Sequence, residues 1–266
     1  MIASLPMYDW PELRHATDAL WTSLRDALRD RGLDAPDGLE RHRDRDEQWR
    51  DPELLLSQTC GFPFATALKE SVRLVAAPLY VAEGCAGPAY CSVIVVRADD
   101  SARTLHDLRG RRAAFNARDS QSGYNAFRAA IAPLAQGGTY FSETVETGAH
   151  VASMRAVIEG SADCAAIDCV CWALAEHYRF DLASRLRVLA WSPPAPALPF
   201  VTAFGRSDAE VDALREALFT VVNDPRTADT RRALLLGGAE VVEDTAYEAI
   251  LAMDSKTREA GYPHLA

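Results

Sequence analysis

The sequence predicts an α/β protein of two lobes, because apolar runs typical of buried strands alternate with segments of helical periodicity. Two continuous valine-rich runs, "VRLVAAP" (72–78) and "CSVIVVR" (91–97), are typical of strands buried on both faces of a sheet. The alternation is interrupted by a polar stretch that begins at residue 98 and by the proline-rich stretch 193–199. We therefore expect two mostly parallel sheets, each flanked by helices, and two hinge crossings between the lobes.

The two interruptions also predict how the chain is shared between the lobes. If both are crossings, residues 98–200 form lobe II, and residues 1–97 and 201–266 build lobe I together. The C-terminal helices would then pack on the N-terminal part of the chain. At 266 residues the chain is long enough for two lobes of ordinary size.

The other elements follow from local patterns, in chain order. A strand is expected at 2–7, followed by a helix that Pro11 opens and Gly32 ends, with apolar residues at helical spacing between them. Later segments with the same kinds of pattern are the expected strands 113–115, 163–168, 186–192 and 200–204 and the expected helices 124–134, 151–160, 170–180, 208–222, 227–236 and 245–259.

Composition and charge exclude several classes of protein. An apolar share of 48% with 25% charged residues is typical of a soluble globular protein. A net charge of −10 argues against general binding to nucleic acid or acidic membranes, and no apolar stretch approaches the ~18 residues that insert into a bilayer. The N-terminus shows no secretory signal, which favours a cytoplasmic location, or a periplasmic or extracellular one if a leader has been removed.

The sequence contains no motif for a cofactor or a metal. The phosphate-binding patterns G-x-x-x-x-G-K-[ST] and G-x-G-x-x-G are missing, and neither H-x-x-x-H nor a carboxylate cluster indicates a metal. The six cysteines include no C-x-x-C pair, and three of them lie in the apolar run 164–174. We therefore expect buried free thiols, no cofactor and no metal site.

The stretch "FNARDSQSGYNAFRAAIAPL" (115–134) carries the strongest functional signal. It runs from a short strand through a polar loop into a helix, and Ser122 is expected to be the N-cap of that helix. A helix N-terminus has up to four unpaired N–H groups and a partial positive charge, which together bind anions. Gly123 would let a ligand approach the backbone closely. The alternative is that Ser122 only caps the helix.

Three further positions could contact a ligand, and each has a structural alternative. His150 precedes a helix in a G-x-H turn and could donate to an oxyanion, better when charged, or be an ordinary satisfied histidine. Asp168 ends a strand, where α/β folds bind their ligands, but could instead cap the next helix. Tyr8 follows the first strand and could form an apolar wall of the site or belong to the core.

The order of these motifs resembles the phosphate/phosphite/phosphonate-type substrate-binding proteins of ABC transporters, which have the type 2 periplasmic-binding-protein fold. The matching features are, in order, the strand 91–97, an L-x-D-L-x-G segment, a strand, S-x-S-G at the start of a helix, G-x-H at 148–150, a helix ending in glycine, and "ADCAAID" (162–168). The resemblance is firmest over roughly residues 70–205. It implies two α/β lobes with a ligand clamped between them.

The resemblance also implies which residues form the site. Hydroxyl and N–H groups of the S-T-S-G-like loop would grip the anion, and here the middle residue is a glutamine, whose amide donates as well as accepts. Tyr90, before a valine-rich strand, matches a tyrosine of the family, and Thr59 lies in a weaker match. The implied ligand-binding residues are Ser120, Gln121, Ser122, Gly123, Tyr124, His150, Tyr90, Asp168, Thr59 and Tyr8.

The predicted function is capture of a small phosphate- or phosphonate-like oxyanion, for transport or sensing, without catalysis. The partners would be that anion and an ABC transporter permease or a sensor protein. The alternative is an enzyme on the same fold, resembling menaquinone- or thiamine-precursor enzymes, with Cys60 and His150 in its site. Hydrolysis by Ser122, His150 and Asp168 is not expected, because the G-x-S-x-G pattern of a nucleophile elbow is missing.

Overall fold

The computed structural model describes residues 1–135 and 138–266, and the chain divides into two compact units. Unit 1 contains Met1–Val81, Ala86–Pro88 and Ala197–Ala246. Unit 2 contains Ala82–Cys85, Ala89–Pro196 and Tyr247–Ala266.

This division differs from the expected one in two large segments, and the proline-rich boundary lies after Pro196 instead of after residue 200. The strand Ser92–Arg97, expected in lobe I, belongs to unit 2 because it pairs on both sides with strands of that unit. The polar stretch after this strand is therefore a loop within unit 2, whereas the proline-rich stretch does contain a boundary. Residues 247–266, expected in lobe I, also belong to unit 2, where the helix Glu248–Glu259 packs on the helix Ala126–Ala135.

Unit 1 is a sheet covered by amphipathic helices. Its strands are β1 (Ile2–Ala3), β2 (Leu54–Gln58), β3 (Val72–Tyr80), β12 (Phe200–Ala203) and β13 (Leu236–Glu240), in the order β1-β2-β12-β3-β13. Its helices are α1 (Arg14–Arg29), α2 (Arg45–Trp49), α3 (Gly61–Ala65), α8 (Asp208–Asn223) and α9 (Ala228–Ala233), with a 3₁₀ turn at Pro225–Thr227. Helix α1 buries one face, including Leu20, Trp21 and Leu24, and packs on α8 and α9.

Unit 2 has a sheet of the same kind. Its strands are β6 (Ser92–Arg97), β7 (Arg112–Phe115), β8 (Glu143–Glu146), β9 (Cys164–Asp168) and β10 (Leu186–Trp191), in the order β10-β6-β9-β7-β8. Its helices are α4 (Ala126–Ala135), α5 (His150–Glu159), α6 (Cys169–Tyr178), α7 (Phe180–Ala183) and α10 (Glu248–Glu259), with a π-turn at Gln121–Asn125 and a 3₁₀ turn at Leu105–Leu108. A further 3₁₀ turn, Asp244–Tyr247, contains the boundary between the units, which falls after Ala246. A small sheet combines β4 (Cys85–Ala86), β5 (Ala89–Tyr90) and β11 (Ala195–Pro196).

Both large sheets are mixed rather than mostly parallel. In unit 1, β12 lies between β2 and β3 and runs antiparallel to both, while β1 and β2 pair in parallel. In unit 2, β6 lies between β9 and β10 and runs antiparallel to both, while β7 pairs in parallel with β8 and β9. The α/β class is confirmed, but an apolar run predicts burial and contains no information on strand direction.

Six of the described strands have no counterpart in the sequence prediction, namely β2, β4, β5, β8, β11 and β13. Strand β13 and the helix α9 together occupy the region expected as one helix at 227–236. Strand β13 contains Gly237 and Gly238, and β8 has a glutamate at each end, so neither has the composition typical of a strand. The first strand is also shorter than expected, at Ile2–Ala3.

Among the described residues, no helix has the length and apolar character needed to cross a membrane. The core of unit 2 includes large side chains from several elements, among them Phe115, Phe127 and Ile131. Tyr262 and Leu265 of the C-terminal segment belong to the same core, which explains why this segment packs with unit 2.

Candidate functional site

The loop 115–125 leads from the carboxyl end of β7 into α4 through a π-turn. The Ser120 hydroxyl accepts a hydrogen bond from the Gly123 N–H at 3.0 Å, so Ser120 is the N-cap. The expected cap, Ser122, lies inside the first turn, because the helix begins two residues earlier than the sequence pattern indicates. The first backbone bond of the turn joins the Asn125 N–H to the Ser120 carbonyl at 3.0 Å, so the N–H groups before Asn125 precede the helical hydrogen-bond ladder.

Ser122 contacts His150 across 28 residues of sequence. Its Oγ lies 3.0 Å from His150 Nε2, and its carbonyl accepts a hydrogen bond from the Ser92 hydroxyl, also at 3.0 Å. His150 is the first residue of α5, and Gly148, with φ at +84°, makes the turn that leads into it. The structure thus brings together two of the predicted site residues, Ser122 in the π-turn before α4 and His150 at the start of α5.

The side chain of His150 is half-buried. Burial lowers its pKa from 6.5 to about 4, and the nearby backbone of Ala166 opposes this shift. Nδ1 is buried and has no hydrogen-bond partner of good geometry among the described residues. The ring is therefore neutral at pH 7 and has one N–H to donate, on whichever nitrogen carries the proton.

Asn116 is a site residue that the sequence reasoning missed. A Cβ on Gly123 would lie 1.9 Å from Asn116 Oδ1 and 3.2 Å from His150 Cε1, so Asn116 packs directly on the glycine. Its Oδ1 is buried and unpaired within the described part of the chain, while its carbonyl accepts from the Gly148 N–H at 2.8 Å. The available signal was its position, directly after β7, at the carboxyl end of a strand in an α/β unit.

The side chains of Gln121 and Tyr124 contact the C-terminal segment. Gln121 donates through Nε2 to the sulfur of Met253 at 3.3 Å and accepts through Oε1 from Asn125 at 2.8 Å. The Tyr124 hydroxyl accepts from the Leu265 N–H at 3.2 Å. Both side chains therefore have packing roles within unit 2. Their part in binding a ligand stays a prediction, which for Tyr124 concerns its backbone N–H.

Asp168 caps α6, as the structural alternative predicted. One carboxylate oxygen accepts from the N–H groups of Val170 at 2.7 Å and Cys171 at 3.2 Å, and the residue is 1% exposed. Across the sheet it is paired with Ser92, whose hydroxyl donates to the Ser122 carbonyl. Tyr90 is buried in β5, opposite Ala195.

Tyr8 and Thr59 belong to unit 1. The Tyr8 ring packs edge-on against Tyr80, with 5.2 Å between ring centroids. Thr59 is fully buried, its N–H donates to the Pro199 carbonyl at 3.1 Å, and its hydroxyl points to the Cys60 carbonyl at 3.4 Å. Both residues contribute to the packing of unit 1, and a ligand contact for either stays a prediction.

The chemistry that this loop offers is hydrogen-bond donation to an anion. It combines a helix N-terminus, a serine hydroxyl and a neutral histidine beside a buried turn. Within residues 1–135 and 138–266, no cluster of His, Cys, Asp and Glu side chains could hold a metal ion.

Solved structures of binding proteins have the same two-lobed fold. PhnD1 from Prochlorococcus marinus, in complex with methylphosphonate, has a TM-score of 0.78 at 15% identity over 97% of both chains. A binding protein component of an ABC phosphonate transporter from Pseudomonas aeruginosa has a TM-score of 0.77 at 16% identity over 97% of this chain and 87% of its own. XAC2383 from Xanthomonas citri, bound to ATP, has a TM-score of 0.70 at 16% identity over 97% of both chains.

The sequence identifies the family more closely than this structural similarity does. The profile of the family described as "ABC transporter, phosphonate, periplasmic substrate-binding protein" matches residues 47–247. The chain belongs to this family, which confirms the resemblance seen in its motifs. No curated protein sequence matches the chain.

Proposed function

We propose that this protein captures a small phosphonate- or phosphate-type oxyanion at the start of the π-turn Gln121–Asn125 and delivers it to an ABC transporter permease. The observation that carries the proposal is the contact between Ser122 Oγ and His150 Nε2, at 3.0 Å, where a helix begins. The family is one of phosphonate-transporter binding proteins, and PhnD1, which has the same fold, is described in complex with methylphosphonate.

The hydrogen bonds of the loop explain how a chain of net charge −10 can hold an anion. The ligand interacts with fixed N–H dipoles and the positive end of the helix rather than with a free cation. When His150 Nε2 carries the proton, it donates to Ser122 Oγ, and the Ser122 hydroxyl is then free to donate to the ligand. A bound oxyanion selects this tautomer because it needs a donor.

The same geometry favours binding without turnover. The pKa of His150, lowered to about 4 by burial, makes the ring a weak base at neutral pH. The Asp168 carboxylate, which would have to orient the histidine in a triad, accepts from two N–H groups of α6 instead. Ser122 therefore acts as the donor to the ligand, with His150 orienting its hydroxyl, and the two do not form an activated nucleophile.

The family also bears on where the protein works. Because its members are described as periplasmic, we infer a periplasmic location in place of the cytoplasmic one expected from the N-terminal residues. The permease then takes precedence over a sensor protein as the partner.

Titration calorimetry of methylphosphonate, inorganic phosphate and sulfate into the protein tests the proposal. Ser122→Ala removes a hydrogen bond to a charged group, worth ~1.5–3 kcal/mol, so affinity should fall roughly 10- to 150-fold. Ser161→Ala is the matched control in unit 2, because Ser161 is exposed and its hydroxyl only donates to the Ala156 carbonyl.

The control should bind like the original protein. No heat with any phosphorus oxyanion, or equal affinity in Ser122→Ala and Ser161→Ala, would contradict the proposed site. Recovery of a chemically altered ligand after incubation would instead support the enzyme alternative.

A further inference from the structure

Two thiols lie in contact in unit 2, outside the proposed anion site. Cys85 Sγ and Cys169 Sγ are 3.5 Å apart, and they lie 84 residues apart in the sequence. Cys85 is half-buried in the short strand β4, and Cys169 is the buried first residue of α6, directly after Asp168. All six cysteines of the chain are free thiols.

The surrounding backbone holds the two thiols together. Gly84, at φ +90°, allows this segment to approach closely, since a Cβ there would lie 3.2 Å from the Cys169 Cβ and 2.3 Å from the Trp191 ring. Cys91 connects both sides, because its N–H donates to the Gly84 carbonyl at 2.9 Å and its carbonyl accepts from the Cys169 N–H at 3.1 Å. The sulfur atoms need to approach by only about 1.5 Å to reach the ~2.05 Å length of a disulfide bond.

We propose that Cys85 and Cys169 are a site of oxidation at which an intramolecular disulfide closes. This inference does not depend on the proposed ligand. The bond would join the segment 82–85 to the N-terminus of α6. The chain segment that it closes, from Cys85 to Cys169, contains both the π-turn Gln121–Asn125 and His150.

The environments of the two thiols assign different roles to them. The hydrogen bond from Cys169 lowers the pKa of Cys85, while the same hydrogen bond, together with burial, raises the pKa of Cys169. Cys85 is also the more accessible of the two. It is therefore the thiol that ionises first and attacks an external oxidant. Burial raises the pKa of the third nearby thiol, Cys91, which does not favour it as the nucleophile.

The oxidant is a small disulfide such as oxidised glutathione. The Cys85 thiolate attacks one of its sulfur atoms, which forms a mixed disulfide and releases one thiolate that takes up the proton lost by Cys85. Cys169 then gives up its proton and attacks Cys85 Sγ, which releases the second glutathione as a thiol. The balance is one oxidant disulfide and two protein thiols converted into one protein disulfide and two small thiols.

Incubation with oxidised glutathione, followed by thiol counting and peptide mapping, tests the site. The number of free thiols should fall from six to four, since two are consumed, and one cross-linked peptide should contain Cys85 and Cys169. Thermal unfolding of the oxidised protein should occur about 5–10 °C higher than that of the reduced protein, because the cross-link restricts the unfolded chain.

Cys85→Ser and Cys169→Ser should each abolish the cross-link, and Cys91→Ser, the matched control, should retain it. Cys85→Ser changes a half-buried residue, so it tests the assignment even if the buried Cys169 variant folds poorly. A Cys85–Cys91 cross-link, a stable glutathione adduct on Cys85 that does not close, or six free thiols after oxidation would each overturn the proposal.

Discussion

Two helix starts in unit 2 share one design but differ in how their free N–H groups are satisfied. The helix α6 begins after Asp168, whose carboxylate accepts from two N–H groups. The π-turn before α4 begins after Ser120, whose hydroxyl accepts from one N–H group. Asp168 thus places a formal negative charge at its own helix start, whereas the cap at Ser120 is neutral.

This difference shows why one of the two starts suits an anion. A carboxylate at the N-terminus of α6 already interacts with the positive end of that helix and repels a second anion. At the π-turn, N–H groups remain ahead of the helical ladder, and the Ser122 hydroxyl, held by the neutral His150, adds an uncharged donor beside them. We therefore propose that the residue type of the cap distinguishes the structural start of α6 from the proposed anion-binding start at the π-turn.

The largest expected effect is the pH dependence of stability that His150, the histidine beside the π-turn, contributes. The pKa of His150 is about 4 in the folded protein and 6.5 for an unperturbed histidine, so the unfolded chain binds a proton between these pH values and the folded chain does not. Stability should therefore fall as the pH is lowered from 6.5 to 4, by up to about 3 kcal/mol from this residue. Urea unfolding at several pH values measures it.

His150→Gln is the control, because other acidic groups also titrate in this range. The difference between the original protein and the variant isolates the contribution of the histidine. If the stability of the two proteins changes with pH in parallel, the imidazole is not held neutral in the folded protein. The π-turn would then not differ from the start of α6 by an uncharged histidine.

The next effect concerns the close packing at the π-turn. In Gly123→Ala the new methyl group would lie only 1.9 Å from Asn116 Oδ1, which is far shorter than a van der Waals contact. Asn116 must therefore move, and stability should fall by about 1–3 kcal/mol. Gly205→Ala is the control, since a Cβ there meets no atom within 4 Å. Adding Asn116→Ala to Gly123→Ala should recover part of the loss. No recovery in the double variant would place the strain elsewhere.

The cap of α6 is expected to contribute more stability than the cap of the π-turn. Asp168→Ala removes an acceptor from two N–H groups and a favourable charge at the helix start, with an expected loss of about 2 kcal/mol. Asp168→Asn keeps an acceptor and should lose less. Denaturant unfolding compares the three proteins, and an equal loss in both variants would mean that capping is not the main role of this carboxylate.

The smallest expected effect is that of Ser120→Ala. It removes one neutral cap and should lower stability by about 1 kcal/mol. This outcome is the reverse of the one that the sequence pattern implies, in which Ser122 is the cap and Ser120 is not. If Ser120→Ala leaves the unfolding midpoint unchanged while Ser122→Ala lowers it, the helix begins where the sequence pattern placed it.

Much of the fold could be predicted from local patterns. The valine-rich runs at 72–78 and 91–97 became β3 and β6, and the helix expected at 208–222 became α8. The predictions that failed depend on contacts distant in sequence. β6 joins unit 2 because of its neighbours β9 and β10, and α10 joins it because α4 offers a packing surface.

The sequence by itself determined that a polar S-x-S-G loop leads into a helix, and that such a helix start can bind an anion. These properties are local, since capping, dipole and turn formation depend on residues a few positions apart. Only the tertiary structure decided that Ser120 is the cap, that Ser122 contacts His150, and that Asn116 packs on Gly123. The physical reason is that the residue at which the helix begins and the burial of the imidazole both depend on how β7, α4 and α5 pack together. This packing brings Ser122 and His150, which are 28 positions apart in the sequence, into contact.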